Sequence, residues 1–371
     1  MGHCRTILLI AITLVFSIGL VMIFNTSSAE VLDLALQRST HEALVRQILY
    51  AVLGCGVGFL AWTLGYRNLL KLSFPLLCFF TFLLLLALMP GIGIAANGAR
   101  RWIGFAGYTI QPSEFVKQAI PLYFVHRIVS VDVDTLSFKE FLQIVAAVAA
   151  PMFLILLEPN NGTVAIIGVT LVALFVITGV RFKYWALPML VAVVLCGFAA
   201  TKMPYVSARI KVYFNPELDL LGRGHQPHQA KIAAGSGQLW GKGPGKSLQK
   251  LSYLPEAQND YIAAIYAEEF GFMGMMVLIL LYMIIAYYGY HIACRASDRR
   301  GCYLAAAITF LLSFQTFLNL GVVSGLLPST GLNLPFFSQG GTSLMANIIA
   351  VAILFDIAWN NEKIPQTSSR F

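Results

Sequence analysis

The chain reads as an all-α, polytopic membrane protein of about ten transmembrane helices, and three observations lead there. Of its 371 residues, 58% are hydrophobic and only 11% charged, against roughly 25% charged in soluble domains. Mean hydropathy is +0.75. Apolar runs close to 20 residues long recur along the chain, the length a helix needs to cross a hydrocarbon core. A net charge of +8 alone would admit nucleic-acid binding. The basic residues are scattered between the runs, however, which suits membrane orientation and an anionic partner at the membrane, with no nucleic acid.

Taken in order, the spans are expected at about 6–24, 44–64, 70–90, 113–131, 141–157, 162–180, 186–203, 262–290, 303–322 and 343–360. The first run, Ile7 to Phe24, is too long and wrongly flanked for a cleaved signal peptide. An even count puts both ends on one side. Short loops on that side carry Arg67, Lys71, Lys139, Arg181, Lys183, Arg295, Arg299 and Arg300, with Arg5 and Lys363 beside the termini. The opposite short loops hold Arg38, Arg46, Arg100 and Arg101, so the positive-inside rule makes both termini cytoplasmic in a cytoplasmic (inner) membrane. One membrane domain, 1–371, is expected, with a long basic extracytoplasmic loop at 204–261 between spans seven and eight. That loop is long enough to escape the charge rule, and an anionic headgroup outside the membrane would explain its charge. The six cysteines have no metal-type spacing and are expected to be unpaired.

Chemistry concentrates where polar segments interrupt the oil. Lys250 to Gly271 carries Glu256, Asp260, Glu268 and Glu269 just ahead of a run of about 22 apolar residues. Ionisable groups that close to a span are expensive and are functional candidates by default. For Glu268 and Glu269, a wetted helix end at the membrane surface is an equal alternative. Asp260 follows the long polar loop and opens a helix, where a cleft is expected. Residues 97–117 pair two arginines with Trp102 and start a span containing Glu114 and Lys117, spaced i,i+3 as for a salt bridge. Residues 158–163, EPNNGT, form a tight outer turn. Residues 325–344 are rich in Gly, Pro and Ser and read as a partly re-entrant loop lining an outward cleft.

Other motifs carry less. GKGPGKS at 241–247 lacks the glycine a phosphate-binding loop requires, since that position is Trp240, and no strand precedes it. His225 and His228 have no third ligand nearby in sequence. No Ser–His–Asp, HExxH or CxxC arrangement is present. What remains is a carboxylate-centred site fed by basic outer loops, suited to glycosyl or phosphoryl-linked chemistry on a lipid-borne substrate.

Three long segments then resemble one family. NGARRWIGFAGYTIQPSEFVK, GKGPGKSLQKLSYLPEAQNDYI and GLLPSTGLNLPFFSQGGTSL are similar to the corresponding segments of the SEDS proteins (shape, elongation, division and sporulation). The S-x-Q-K-L-x-YLPEA wording is closer to the division branch than to the elongation branch. The resemblance implies a peptidoglycan glycosyltransferase that polymerises lipid II outside the membrane beside a class B penicillin-binding protein and other division proteins. It places the family's essential aspartate on Asp260. Arg101, Glu114 and Lys117 fall on the family's Arg, Glu and Lys. Lys246 and Lys250 are expected to hold diphosphate with Arg101 and Lys117, and Glu256, one turn before Asp260, to tune its carboxylate. No protein metal ligands are expected, although a divalent cation, Mg or Mn, is a candidate aid to diphosphate departure. The chain departs from the family at Gln258 and Asn259 (usually His-Thr), Asn160 (usually Asp) and Gln339 (usually Tyr). A lipid II flippase and a non-catalytic division scaffold remain alternatives, as does an elongation polymerase.

Overall fold

In the computed structural model, the residues described are 2–33, 39–96, 99–105, 107–131, 133, 135–191, 213, 224–251, 254 and 257–363. The helices are α1 (Gly2–Asp33), α2 (Glu42–Leu64), α3 (Tyr66–Lys71), α4 (Ser73–Leu88), α5 (Pro112–Ser130), α6 (Phe138–Leu157) and α7 (Asn161–Thr178). Residues 182–191 form α8. They are followed by α9 (His225–Ser236), α10 (Ile262–Cys294), α11 (Arg299–Val323) and α12 (Gly341–Lys363). Among the described residues, seven helices are long and apolar enough to cross a membrane. Each expected span coincides with a helix. The third is shared by α3 and α4, and the seventh is helical only to 191, the rest lying outside the described residues.

Local chemistry sets the boundaries. Ser137 and Glu140 form a reciprocal capping box that starts α6. Pro112 opens α5, where its missing N–H costs nothing. Asn160 caps α7, which ends on the left-handed Gly179. Asp298 caps α11 through the Gly301 amide at 2.7 Å. Small residues set the closest packing. Gly54 and Gly58 share one face of α2, and a Cβ on either would lie only 3.1–3.3 Å from Met345, Ile348 or Ala352 of α12.

The fold is all-α as expected, and two local features add to it. β1 (Gly93–Ala96), β2 (Ala99–Phe105) and β3 (Tyr108–Ile110) make a small antiparallel sheet in the order β1-β2-β3 between α4 and α5. Polar segments at a bundle end must satisfy their own backbone, and hairpins do so locally. The sheet is tied down where Tyr50 Oη donates to the Thr109 carbonyl at 2.8 Å and accepts from the Thr109 amide at 3.1 Å. Within the expected 204–261 loop, the described residues include α9, and residues 237–250 fold back onto α10.

That folding-back explains α10, which the sequence presents as one overlong helix. Gly271 breaks it with φ 66° and ψ −164°, a conformation essentially reserved for glycine. The backbone groups freed at the break are paired by the returning loop. The amides of Lys242 and Gly243 donate to the carbonyls of Glu268 and Glu269, both at 3.0 Å. The amides of Phe272 and Met273 donate to the carbonyls of Gln238 and Leu239 at 2.8 and 3.1 Å. Irregular backbone is thus covered by protein, as an apolar surrounding demands.

The two ends of the described chain meet. The Arg5 guanidinium lies 4.7 Å over the Trp359 ring, so the start of α1 and the end of α12 share one end of the bundle. An apolar cavity of about 670 Å³ runs from that end between α1, α2 and α12 toward Phe336 and Leu344. The polar loops gather at the other end.

Candidate functional site

The polar cavity at that other end holds about 590 Å³ and is assembled from sequence-distant segments. Arg46, Gln47 and Tyr50 come from the start of α2, Arg101 and Trp102 from β2, and Glu114 from the first turn of α5. Asn160 and Thr163 come from the start of α7, Asn259 to Tyr261 precede α10, and Gly331 to Asn333 and Gln339 to Ser343 complete the wall. The four polar stretches marked in the sequence therefore converge on one space. Interrupting a span with polar chain is tolerated where it lines such a cavity.

Asp260 is half-buried on the turn leading into α10. Its main-chain carbonyl accepts from Asn319 Nδ2 at 2.8 Å. Gly331 lies opposite the carboxylate, and a Cβ there would sit 3.8 Å from Asp260 Oδ2. Arg101 crosses the cavity wall, its Nε donating to the Glu158 carbonyl at 2.8 Å and its Nη2 to the Pro159 carbonyl at 2.7 Å. The EPNNGT turn thereby holds the guanidinium in place.

Glu114 reaches the cavity, and Lys117 lies behind it, fully buried. Lys117 Nζ donates to Glu114 Oε2 at 2.7 Å and to Gln315 Oε1 at 2.8 Å. The i,i+3 spacing does make a salt bridge. A buried ammonium needs such an arrangement, because an unpaired charge in the interior is prohibitively costly.

Other expected site residues fall elsewhere. Glu256 lies outside the described residues. Lys246 is exposed on the returning loop, and neither it nor Lys250 is part of the cavity wall. Lys250 is buried, its Nζ donating to Asn25 Oδ1 at 2.7 Å, the Gly245 carbonyl at 2.7 Å and Glu269 Oε1 at 3.1 Å. All three ammonium hydrogens have acceptors, so the expectation of a diphosphate contact gives way to a loop anchor. Glu268 and Glu269 are not wetted helix ends but buried carboxylates. Glu268 accepts from Lys242 Nζ at 2.6 Å and from the Ser247 hydroxyl. Glu269 accepts from Asn25 Nδ2 at 2.7–2.8 Å and from Lys250. Together they clamp residues 236–250 to α10.

Several site residues escaped notice in the sequence. Gln47, Gln315 and Asn319 are polar residues inside apolar runs, and that is a usable signal. Glu158 is fully buried, neither carboxylate oxygen has a hydrogen-bond partner among the described residues, and burial pushes its pKa up to about 8 against the lowering pull of Arg101. No group of three or more His, Cys, Asp or Glu side chains among the described residues stands close enough to hold a metal ion.

The chain is similar to known proteins along nearly its whole length. A family model described as "Cell cycle protein", named for FtsW, RodA and SpoVE, matches residues 5–363. Stage V sporulation protein E of Bacillus subtilis (strain 168) is 36% identical over 356 residues, 95% of this chain and 96% of that protein. The probable peptidoglycan glycosyltransferase FtsW of Trichlorobacter lovleyi is 35% identical over 366 residues, covering 97% and 94%. That of Nitrosomonas europaea is 36% identical over 360 residues, covering 96% and 92%. Among solved structures, a chain of a peptidoglycan synthase complex that coordinates polymerization and crosslinking superposes with a TM-score of 0.76 at 22% identity, covering 96% of this chain and 98% of that one. The rod shape determining protein RodA of Thermus thermophilus gives a TM-score of 0.68 at 22% identity, covering 96% and 97%.

Proposed function

The chain belongs to the cell cycle protein family of FtsW, RodA and SpoVE, and on that premise we propose that it is a peptidoglycan glycosyltransferase polymerising lipid II for septal wall synthesis. The observation that carries this reading is the cavity itself: Asp260, Arg101 and Glu114, distant in sequence, line one polar space. A second feature suits a lipid-linked substrate. Along α2 and α12, the polar lining (Gln47, Tyr50, Thr342, Ser343) passes directly into the apolar lining (Ala51, Cys55, Leu344, Ile348). An amphiphile meets a polar compartment and an apolar one on the same two helices.

In this mechanism the Asp260 carboxylate takes the proton of the 4-hydroxyl on the N-acetylglucosamine of one lipid II. That oxygen attacks C1 of the muramyl sugar at the end of the growing chain. The new C–O bond forms opposite the diphosphate, and the old C1–O bond breaks with its electron pair leaving on undecaprenyl pyrophosphate. The anomeric centre inverts through an oxocarbenium-like state. Arg101 and Arg46 are the Lys or Arg side chains that line the cavity, and in this mechanism they stabilise the developing diphosphate charge. Glu114 and Lys117 support that wall as an ion pair. A divalent cation would neutralise the leaving diphosphate, but the described residues offer no three-ligand group to hold one, and no step is assigned to it.

The working orientation places the cavity outside the cytoplasmic membrane and both termini in the cytoplasm. A class B penicillin-binding protein is the proposed crosslinking partner, and other division proteins complete the assembly. The likeness to a chain from a polymerising and crosslinking complex supports that pairing.

The test is strand synthesis from lipid II by the purified protein, with and without the crosslinking partner. Asp260→Asn keeps the shape and removes the base. It is expected to insert and bind the partner yet lose polymerisation by roughly 100-fold or more, the scale of acid–base catalysis. Wild-type polymerisation by Asp260→Asn would sink this assignment. Lipid II translocation without glycan from either form would make the protein a flippase.

A further inference from the structure

Asp260 sits on a turn, and a turn has no ladder of its own to fix its height. A side chain two elements away in sequence bonds to it directly. Asn319 is on α11, four residues after Gln315, so the two amides share one helix face. Asn319 is 2% exposed. Its Nδ2 donates to the Asp260 carbonyl at 2.8 Å and to the Leu332 carbonyl at 2.7 Å. One nitrogen thus ties the Asp260 turn to the loop that faces it. One rung down, Gln315 Nε2 donates to the Asn333 carbonyl at 2.7 Å. From the other side, the Gln339 amide donates to the Gln258 carbonyl at 2.9 Å, and Tyr261 Oη donates to Ser329 Oγ at 3.0 Å.

We propose that Asn319 is a positioning residue for Asp260, its single amide nitrogen setting the distance between the carboxylate turn and the loop at 331–334. The chemistry is specific to a primary amide. Only such a group presents two N–H donors from one nitrogen on so short a stem; aspartate at this place presents none and serine one. A shift of about 1 Å in a base can cost two orders of magnitude in rate while binding is kept. Asn319 is not among the residues lining the cavity and acts through Asp260, so the proposal rests on Asp260 being the base.

The experiment measures lipid II polymerisation by the purified protein, with kcat and KM separated, for Asn319→Asp, Asn319→Ser and the control Thr316→Val. Thr316 is buried on the same helix, and among the described residues its hydroxyl bonds to the Leu312 carbonyl one turn back. Asn319→Asp is expected to lower kcat at least about 10-fold and Asn319→Ser by less, with KM within about twofold and Thr316→Val near wild type. In an Asp260→Glu background, where the carboxylate is already displaced, the Asn319→Ser loss is expected to shrink to about twofold or less. An equal loss in both backgrounds, a rise in KM at constant kcat, or a wild-type kcat in the Asn319 variants would overturn the proposal. If Asn319→Asp does not fold, Asn319→Ser and its double variant decide alone. Full activity of Asp260→Asn would instead remove the base assignment, which separates the two failures.

Discussion

Glu158 holds a carboxyl in a place where a charge is unwelcome, and its pKa of about 8 has a definite sign for stability. Between about pH 4.3, where an unfolded glutamate ionises, and about pH 8, the native chain keeps a proton that the unfolded chain has released. Stability therefore falls as pH rises through that window and levels off above it. Glu158→Gln removes the titration. Its thermal unfolding midpoint in detergent is expected to exceed that of wild type near pH 9, with the gap closing toward pH 5; a gap independent of pH would dismiss the titration as its cause. Lys250 offers a contrast. Lys250→Met strands Glu269 in a buried site without its cation, a loss of order 3 kcal/mol, whereas exposed Lys246→Met should leave the unfolding midpoint within a degree or two. Equal midpoints for both variants would count against the loop-anchor role. The sequence marked Lys250, Glu268 and Glu269 as unusual, but not their use. Charges spaced about 20 residues apart in sequence, 250 and 269, meet only because the chain turns back, and no periodicity announces that.

At the level of elements, the helices were readable because a membrane span is a long, local, repetitive signal. The β1–β3 sheet was not, since three short strands among glycines and arginines carry no sustained alternation. Gly271 lies between these cases: an unbroken helix over the expected 262–290 span would be about 44 Å long, more than a hydrocarbon core of about 30 Å, and the structure breaks it at Gly271. Its conformation leaves no room for a side chain: a Cβ would fall 2.3 Å from the Gly241 amide nitrogen. Gly271→Ala is therefore expected to lower the unfolding midpoint and to increase protease nicking within 237–250, the segment it displaces. Unchanged midpoint and cleavage would mean that the loop and α10 are not stitched as described.

For the whole molecule, fold class and span order were legible because composition and loop charge are summed over hundreds of residues, while the site was legible only as candidates whose convergence the packing of α2, α5, α7, α10 and α12 had to supply. Orientation gives the corresponding prediction. In an otherwise cysteine-free protein, a cysteine replacing exposed Lys246 should react with an impermeant thiol reagent in intact cells, and one replacing Arg299 at the start of α11 only after lysis. The reverse pattern would turn the molecule over. The break at Gly271 also bears on how the protein is made. Glu268 and Glu269 are disfavoured in a span by about 2.5–3.5 kcal/mol each at its centre, on the scale of such charged residues, and their partners Asn25, Lys242, Ser247 and Lys250 lie upstream. The stretch after Gly271, about 23 residues and about 34 Å long, spans a bilayer by itself. During synthesis the translocation machinery can partition that stretch into lipid alone, leaving 262–271 to seat afterwards against chain that has already emerged. Insertion and site assembly thus become successive events, with a glycine as the division between them.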